Sequence, residues 1–305
     1  MNALKILVTG GNGQLGQALG DCGAPETIIV RLGQQELDIT RSDQVHRVLA
    51  EVCCDVVINA AAYTAVDGAE RETEQAFAVN RDGAAHLARA CAEHRLPLIH
   101  LSSDYVFDGQ SRHAYVETDA VNPLGVYGAS KAAGEEAVRQ IAARHVIVRA
   151  AWLFGRHGRS FVKTMLDLAA THKQVRVVAD QRGSPTPAEP LAAALVSISR
   201  QCLGRDGVPW GTYHLAGAPS VTWFGLAEAV FVRLSELGQT VPHLEAVTSE
   251  VFGAPAVRPA FSVLDGGKAQ RTFGIEPFDW QKGLAVVIDD YLRHHPLEDQ
   301  HEDRQ

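Results

Sequence analysis

Residues 126–131 read Val-Tyr-Gly-Ala-Ser-Lys. The stretch sets a phenol and an ammonium four residues apart, on one face if the segment is helical. A phenol with a pKa near 10 is a poor acid or base at neutral pH. A nearby ammonium stabilises the phenolate and draws that pKa down. Upstream, Ser102 and Ser103 follow the apolar run Leu96–Leu101 and offer a hydroxyl that can hold a carbonyl oxygen while it is protonated. Beside a nicotinamide, these residue types reduce a ketone, with Tyr127 giving the proton. Each also has a plainer use. A Tyr–Lys pair at this spacing often sits on a solvated helix face, and Ser102 and Ser103 are ordinary strand-end hydroxyls.

A second motif weighs against the plainer use. Gly10-Gly11-Asn12-Gly13-Gln14-Leu15-Gly16 follows the run Leu4–Thr9. Glycines 10, 13 and 16 suit a tight turn, close approach to a pyrophosphate, and packing of helix on strand. The helix that follows offers free N–H groups to phosphate. Between a first strand and a helix, this predicts dinucleotide binding. Arg31 follows the second strand, Thr27–Val30, where an acid would take the ribose hydroxyls and an arginine suits a 2′-phosphate. NADPH is therefore expected, with NADH possible. Asp38 lies before a helix and also fits a cap region.

The elements that must position these groups alternate. After Leu4–Thr9 come an amphipathic segment from Gln14 to about Leu19, the strand Thr27–Val30 and a short extended piece ending at Asp38-Ile39-Thr40. A helix over Arg41–Val52, capped by Thr40 or Ser42, leads to a strand over Asp55–Asn59. A long helix over Thr73–His94 precedes the strand Leu96–Leu101, and a helix over Val126–Ala143 precedes the strand His145–Arg149. The spacing predicts an α/β fold: a Rossmann-type, doubly wound parallel sheet. Beyond Trp152 prolines accumulate and the rhythm loosens. We therefore expect a dinucleotide-binding domain over 1–151 and a smaller α/β substrate-binding domain over 152–305. A strand near residues 212–217 is expected to rejoin the first sheet.

Composition narrows the class. The 305 residues carry a formal net charge of −8, which argues against nucleic acid or an anionic membrane surface as partner. Five cysteines without paired C-x-x-C clusters argue against zinc and fit reduced thiols in a cytoplasmic protein. No apolar run is long enough to span a membrane.

The blocks Ala61-Ala62-Tyr63-Thr64-Ala65-Val66-Asp67, Ser102-Ser103-Asp104-Tyr105-Val106-Phe107, Asn122-Pro123-Leu124-Gly125-Val126-Tyr127, Arg149-Ala150-Ala151-Trp152 and Asp180-Gln181-Arg182-Gly183-Ser184-Pro185-Thr186 together resemble the dTDP-4-dehydrorhamnose reductases, a family of extended short-chain dehydrogenase/reductases. The likeness runs from residue 5 to about residue 292. It implies reduction of a 4-keto group on a sugar nucleotide. Gly13, Gln14 and Leu15 would line the pyrophosphate, Asp38 and Ile39 the adenine, and Ala62, Tyr63 and Thr64 the cofactor above the sheet. Ser103, Asp104, Tyr105 and Trp152 would meet the sugar. Tyr127 would donate the proton, with Lys131 tuning it and binding the nicotinamide ribose.

Some members of the family dimerise around magnesium held by glutamates, so a homodimer is conceivable here. This chain has Gln17 where one glutamate would fall; Glu189 matches a second, and Asp289 would lie near a third. A neutral ligand weakens a site for a hard cation, so no metal is expected and Glu189 is expected to be a solvated acid. Arg258 could clamp a diphosphate or sit on the surface. Trp210, Trp223 and Trp280 are expected to be packing residues, and His86, His94 and His100 structural. An epimerase or another 4-ketoreductase on the same scaffold is the alternative. A non-catalytic regulatory subunit is weaker still, because Tyr127 and Lys131 are both present.

Overall fold

A computed structural model describes residues 3–204 and 209–295. Eight parallel strands carry the architecture: β1 (Leu4–Thr9), β2 (Thr27–Leu32), β3 (Val56–Asn59), β4 (Leu98–Ser103), β5 (His145–Ala150), β6 (Gln174–Val178), β7 (Gly211–His214) and β8 (His243–Val247). Six of them form one sheet in the order β7-β5-β4-β3-β1-β2, parallel throughout. The reversal of strand order lies between β1 and β3, and ligands of open α/β sheets bind where strand order reverses. Val56, Val57 and Ile58 are fully buried, as expected for β-branched strands covered on both faces.

Register brings the chemistry to one edge. Thr9 is level with Asn59, Asn59 with His100, and Ser103 with Ala150. All lie at or near the carboxyl ends of their strands. One face of the sheet is covered by α1 (Gln14–Gly20) and α6 (Ala188–Gly204), through Leu15, Leu19, Leu191 and Leu195. The other is covered by α2 (Ser42–Val52), α3 (Ala84–Glu93) and α4 (Val126–Ile141), through Val45, Leu49, Leu87 and Val138. A second core joins α5 (Phe161–Thr171), α7 (Trp223–Glu236) and α8 (Trp280–His294) with β6, which pairs with β8.

The structure departs from the sequence pattern in four places. The segment Asp38–Thr40 forms no strand; the Asp38 carboxylate instead accepts from the Thr40 amide (3.0 Å) and hydroxyl (2.7 Å). Helix α2 starts from Arg41 without a side-chain cap, so neither Thr40 nor Ser42 caps it. The helical stretch Thr73–His94 is interrupted by a π-turn at Ala78–Gly83. Finally, Gly217-Ala218 does not extend β7 but pairs with Phe278-Asp279. Helix α6 and strand β7, both beyond Trp152, pack into the first core, so the chain crosses into its second half and returns.

Candidate active site

The glycine loop is built by close approach. Gly10 has φ +66°, and a Cβ there would lie 2.6 Å from the Ala61 nitrogen. A Cβ at Gly16 would lie 2.4 Å from the Gly10 carbonyl oxygen. Both glycines are required by backbone that leaves no room for a side chain. Gly13 precedes α1 without a side-chain cap, which leaves the first-turn amides unclaimed by any side chain. The buried Gln14 Nε2 has no protein partner among the described residues. An orphaned donor beside open helix amides suits a pyrophosphate, so the residues present fit a dinucleotide.

A cleft of about 950 Å³ runs from this loop across the sheet edge. Gly10, Asn12, Gly13, Gln14 and Leu15 line one end, with Asp38 and Ile39; Ala61, Ala62, Tyr63 and Thr64 line the floor. Ser103, Asp104, Tyr127, Lys131 and Trp152 line the other end. Gly16 acts from behind the loop. Arg31 does not line the cleft: its guanidinium folds back and donates to the Gly11 carbonyl over 3.4 Å. Tyr105 and Arg258 line a second cavity of about 650 Å³, which shares Val66, Phe161 and Trp223 with the first.

Tyr127 and Lys131 occupy the first turns of α4. Burial pushes the Tyr127 phenol up to about 12, against the Ser103 hydroxyl, which pulls it down, and with Asp104, which adds to the rise. The expected depression by Lys131 is absent. The ammonium is buried and donates to the Leu101 carbonyl at 2.6 Å. Its own pKa falls to about 8 through burial, opposed by Glu135. Tyr127 is therefore a protonated phenol at neutral pH, poised to donate. Burial also lifts Asp104 to about 7, although hydroxyls of Ser262 and Ser103 pull the other way. Ser103 donates to the Asp104 carboxylate at 3.0 Å and accepts from the Tyr105 amide at 3.1 Å. Tyr105 meets Tyr127 edge-to-face, ring centres 5.8 Å apart.

Asn80 braces the site. In the π-turn its amide exchanges hydrogen bonds with the Tyr63 backbone (2.9 and 3.1 Å) and donates to Ser130 Oγ (2.9 Å). This ties the cofactor floor to the helix that carries Tyr127. His100 is structural: its Nδ1 meets Asn59 Nδ2 at 3.0 Å, and Asn59 accepts from Thr9. His86 likewise holds the Ile39 carbonyl.

Two further expectations change. Trp223 is not merely a packing residue. It lines the cleft and stacks on Trp152, ring centres 3.5 Å apart and 6° from parallel. Glu189 is not a freely solvated acid: it accepts from the Arg156 amide and guanidinium at 2.9 and 3.3 Å. Asp289 pairs with Arg233, and Gln17 donates to the Asn12 carbonyl. These residues, already engaged and one of them neutral, do not fit a magnesium site. Arg258 is clamped rather than loose, its Nη2 on Asp67 at 2.8 Å.

Residues 4–293 match the family model described as RmlD substrate binding domain. The chain belongs to the RmlD family. It is 42% identical to the dTDP-4-dehydrorhamnose reductase of Aggregatibacter actinomycetemcomitans, over 93% of this chain and 98% of that one. It is 39% identical to a Streptomyces antibioticus protein described as a probable dTDP-4,6-dihydroxy-2-methyloxan-3-one 4-ketoreductase, over 95% and 96%. The Bacillus anthracis dTDP-4-dehydrorhamnose reductase, solved in complex with NADP, superposes with a TM-score of 0.87 at 35% identity, covering 94% of this chain and 99% of that one. The RmlD family match thus spans both cores and the cleft between them. Among the described residues, no helix is long and apolar enough to cross a membrane.

Proposed function

We propose that this RmlD family member is a cytoplasmic oxidoreductase that reduces the 4-keto group of dTDP-4-dehydro-β-L-rhamnose to give dTDP-L-rhamnose, with NADPH preferred and NADH usable. The observation that carries it is the meeting of Tyr127, Ser103 and Lys131 in one cleft with the glycine loop, in a chain that matches the family over nearly its whole length. When bound, the reduced nicotinamide supplies a hydride to the keto carbon. Ser103 holds the keto oxygen and Tyr127 donates its proton to it, while the Lys131 ammonium would hold the nicotinamide ribose. Trp152 and Trp223 wall the sugar. The nucleotide extends into the second cavity, where Arg258 is placed for the diphosphate and Met165, Leu168 and Val177 give an apolar bed for the base.

The division of labour follows. The parallel sheet with α6 and β7 holds the cofactor, and the second core holds the nucleotide. The preference for NADPH rests on Arg31, whose long bond to the Gly11 carbonyl costs little to exchange for a 2′-phosphate. The Streptomyces relative favours a second reading, a 4-ketoreductase acting on a different dTDP-linked ketone. The test is loss of nicotinamide absorbance with dTDP-4-dehydro-6-deoxyglucose, with and without its 3,5-epimerase, using each cofactor in turn. Turnover only with the epimerase supports the rhamnose substrate, and turnover without it supports the second reading. No turnover in either case overturns both.

A further inference from the structure

The second cavity contains a polar side chain whose orientation is fixed from outside. Gln181 is 6% exposed and lines this cavity. Its Nε2 donates to Ser249 Oγ at 2.8 Å. The Ser249 hydroxyl donates to the Asp180 carboxylate at 2.6 Å, and the Ser249 amide reaches the same carboxylate at 2.9 Å. An ionised carboxylate only accepts, so the hydroxyl proton goes to Asp180 and the hydroxyl oxygen must accept from Gln181. This sets which end of the amide is nitrogen, which an isolated amide would leave open. One N–H of Gln181 is engaged by Ser249. The second N–H and the carbonyl oxygen, side by side, remain for a ligand.

That pairing has a chemical complement. A pyrimidine imide places a ring N–H next to a carbonyl oxygen. The ring N–H can donate to Gln181 Oε1 while the carbonyl accepts from Nε2, giving two parallel bonds. The surrounding wall is apolar, with Leu168, Val177 and Phe252, and suits a flat ring. An amide covered by a ligand that cannot pair with it is left unsatisfied at a cost, so a ligand without this edge binds at a disadvantage. We propose that Gln181 determines base specificity by pairing with the imide edge of the substrate's pyrimidine, held in register by the Asp180–Ser249 relay. This rests on the reading of the second cavity as the nucleotide site of a dTDP-sugar reductase.

The experiment is calorimetric titration of the full chain with dTDP and with dTDP methylated at the imide nitrogen. The wild-type protein is expected to bind dTDP about tenfold more tightly than the methylated nucleotide, the worth of one good buried hydrogen bond. Gln181→Leu should bind both alike, and dTDP about tenfold more weakly than wild type. Ser249→Ala, which frees the amide to turn, should reduce the preference while leaving Gln181 in place; it serves as the second test if the leucine variant does not fold. A preference unchanged in either folded variant, or absent in the wild type, overturns the assignment of Gln181. If the wild type binds NADPH but neither nucleotide, the dTDP-sugar reading falls as well.

Discussion

Gly183→Ala tests whether the indole wall is a fixed part of the active site. A Cβ at Gly183 would lie 2.4 Å from Trp152 Cε2, 2.6 Å from Nε1 and 2.7 Å from Cζ2. Ordinary contact begins near 3.4 Å, so the indole has to retreat by about 1 Å. It has nowhere to go. The ring is stacked on Trp223 at 3.5 Å, and its own backbone is held at φ +47°, a conformation uncommon for a bulky residue. Either the pair separates or the strand Arg182-Gly183 leaves its partner Val221-Thr222. Overpacking of this kind costs about 1–3 kcal/mol, which lowers the melting temperature of a protein this size by several degrees without unfolding it. A misplacement of about 1 Å near the reacting atoms costs turnover on the order of 10²-fold. We therefore expect kcat/KM for the keto sugar nucleotide to fall about 10²-fold, NADPH affinity to stay within a factor of about two, and the near-ultraviolet circular dichroism of the stacked indoles to weaken. A variant with undiminished kcat/KM and an unchanged dichroism band would show that the wall yields, and the argument from close packing would be wrong.

Other outcomes follow from the same geometry. Tyr127→Phe should reduce kcat by about 10²–10⁴, the usual worth of a general acid, with NADPH titration nearly unchanged; an unaltered kcat removes the proposed proton donor. The pKa of Lys131 is depressed to about 8, so its charge is present below that pH and lost above it. kcat/KM should then fall about tenfold per pH unit above pH 8, and Lys131→Arg should abolish that limb while it keeps the positive charge. A wild-type profile flat to pH 9.5 refutes this. The same group makes the folded protein bind fewer protons than the unfolded chain between about pH 8 and 10.5, so its contribution to stability rises with pH there. Arg31→Ala should weaken NADPH more than NADH in parallel titrations; equal losses would show that Arg31 does not meet the 2′-phosphate.

The parts legible in the sequence are those whose chemistry is local. The glycine loop, the Ser103 strand end and the Tyr127–Lys131 spacing each lie within a few residues, and the strand periodicity is enough to place them on one sheet edge. What escaped was assembled over distance. Trp223 sits at the start of an amphipathic helix and reads as core until Trp152 is found against its face. Gln181 falls in a block that marks the family, but its role there comes from Ser249, far along the chain. The π-turn at Ala78–Gly83 is invisible to a 3.6-residue pattern, as are the bonds that Asn80 exchanges within it with the distant Tyr63. The domain boundary blurred for a related reason. Helix α6 carries the apolar stripe of any surface helix, and only packing shows which core receives it.

The low pKa of Lys131 comes from its burial, which its surroundings do little to oppose. The carboxylate that opposes this fall, Glu135, lies one helical turn further along α4. It is fully buried and receives two bonds from the buried Arg149 (2.8 and 2.7 Å) and a third from Arg139 (3.1 Å). One negative charge is thus shared between two guanidinium groups, and little of it is left to favour the ammonium. Arg149 also meets His214 at 3.4 Å. Burial, with the Arg149 charge, drives that imidazole down to about 3, so it is neutral and adds no competing positive charge. Lys131 is left with a neutral carbonyl partner, and desolvation prevails. The ion pair that pins α4 to β5 therefore engages the carboxylate that opposes the fall in the lysine's pKa. Glu135 thus bears on the charge of Lys131 although it does not line the cleft.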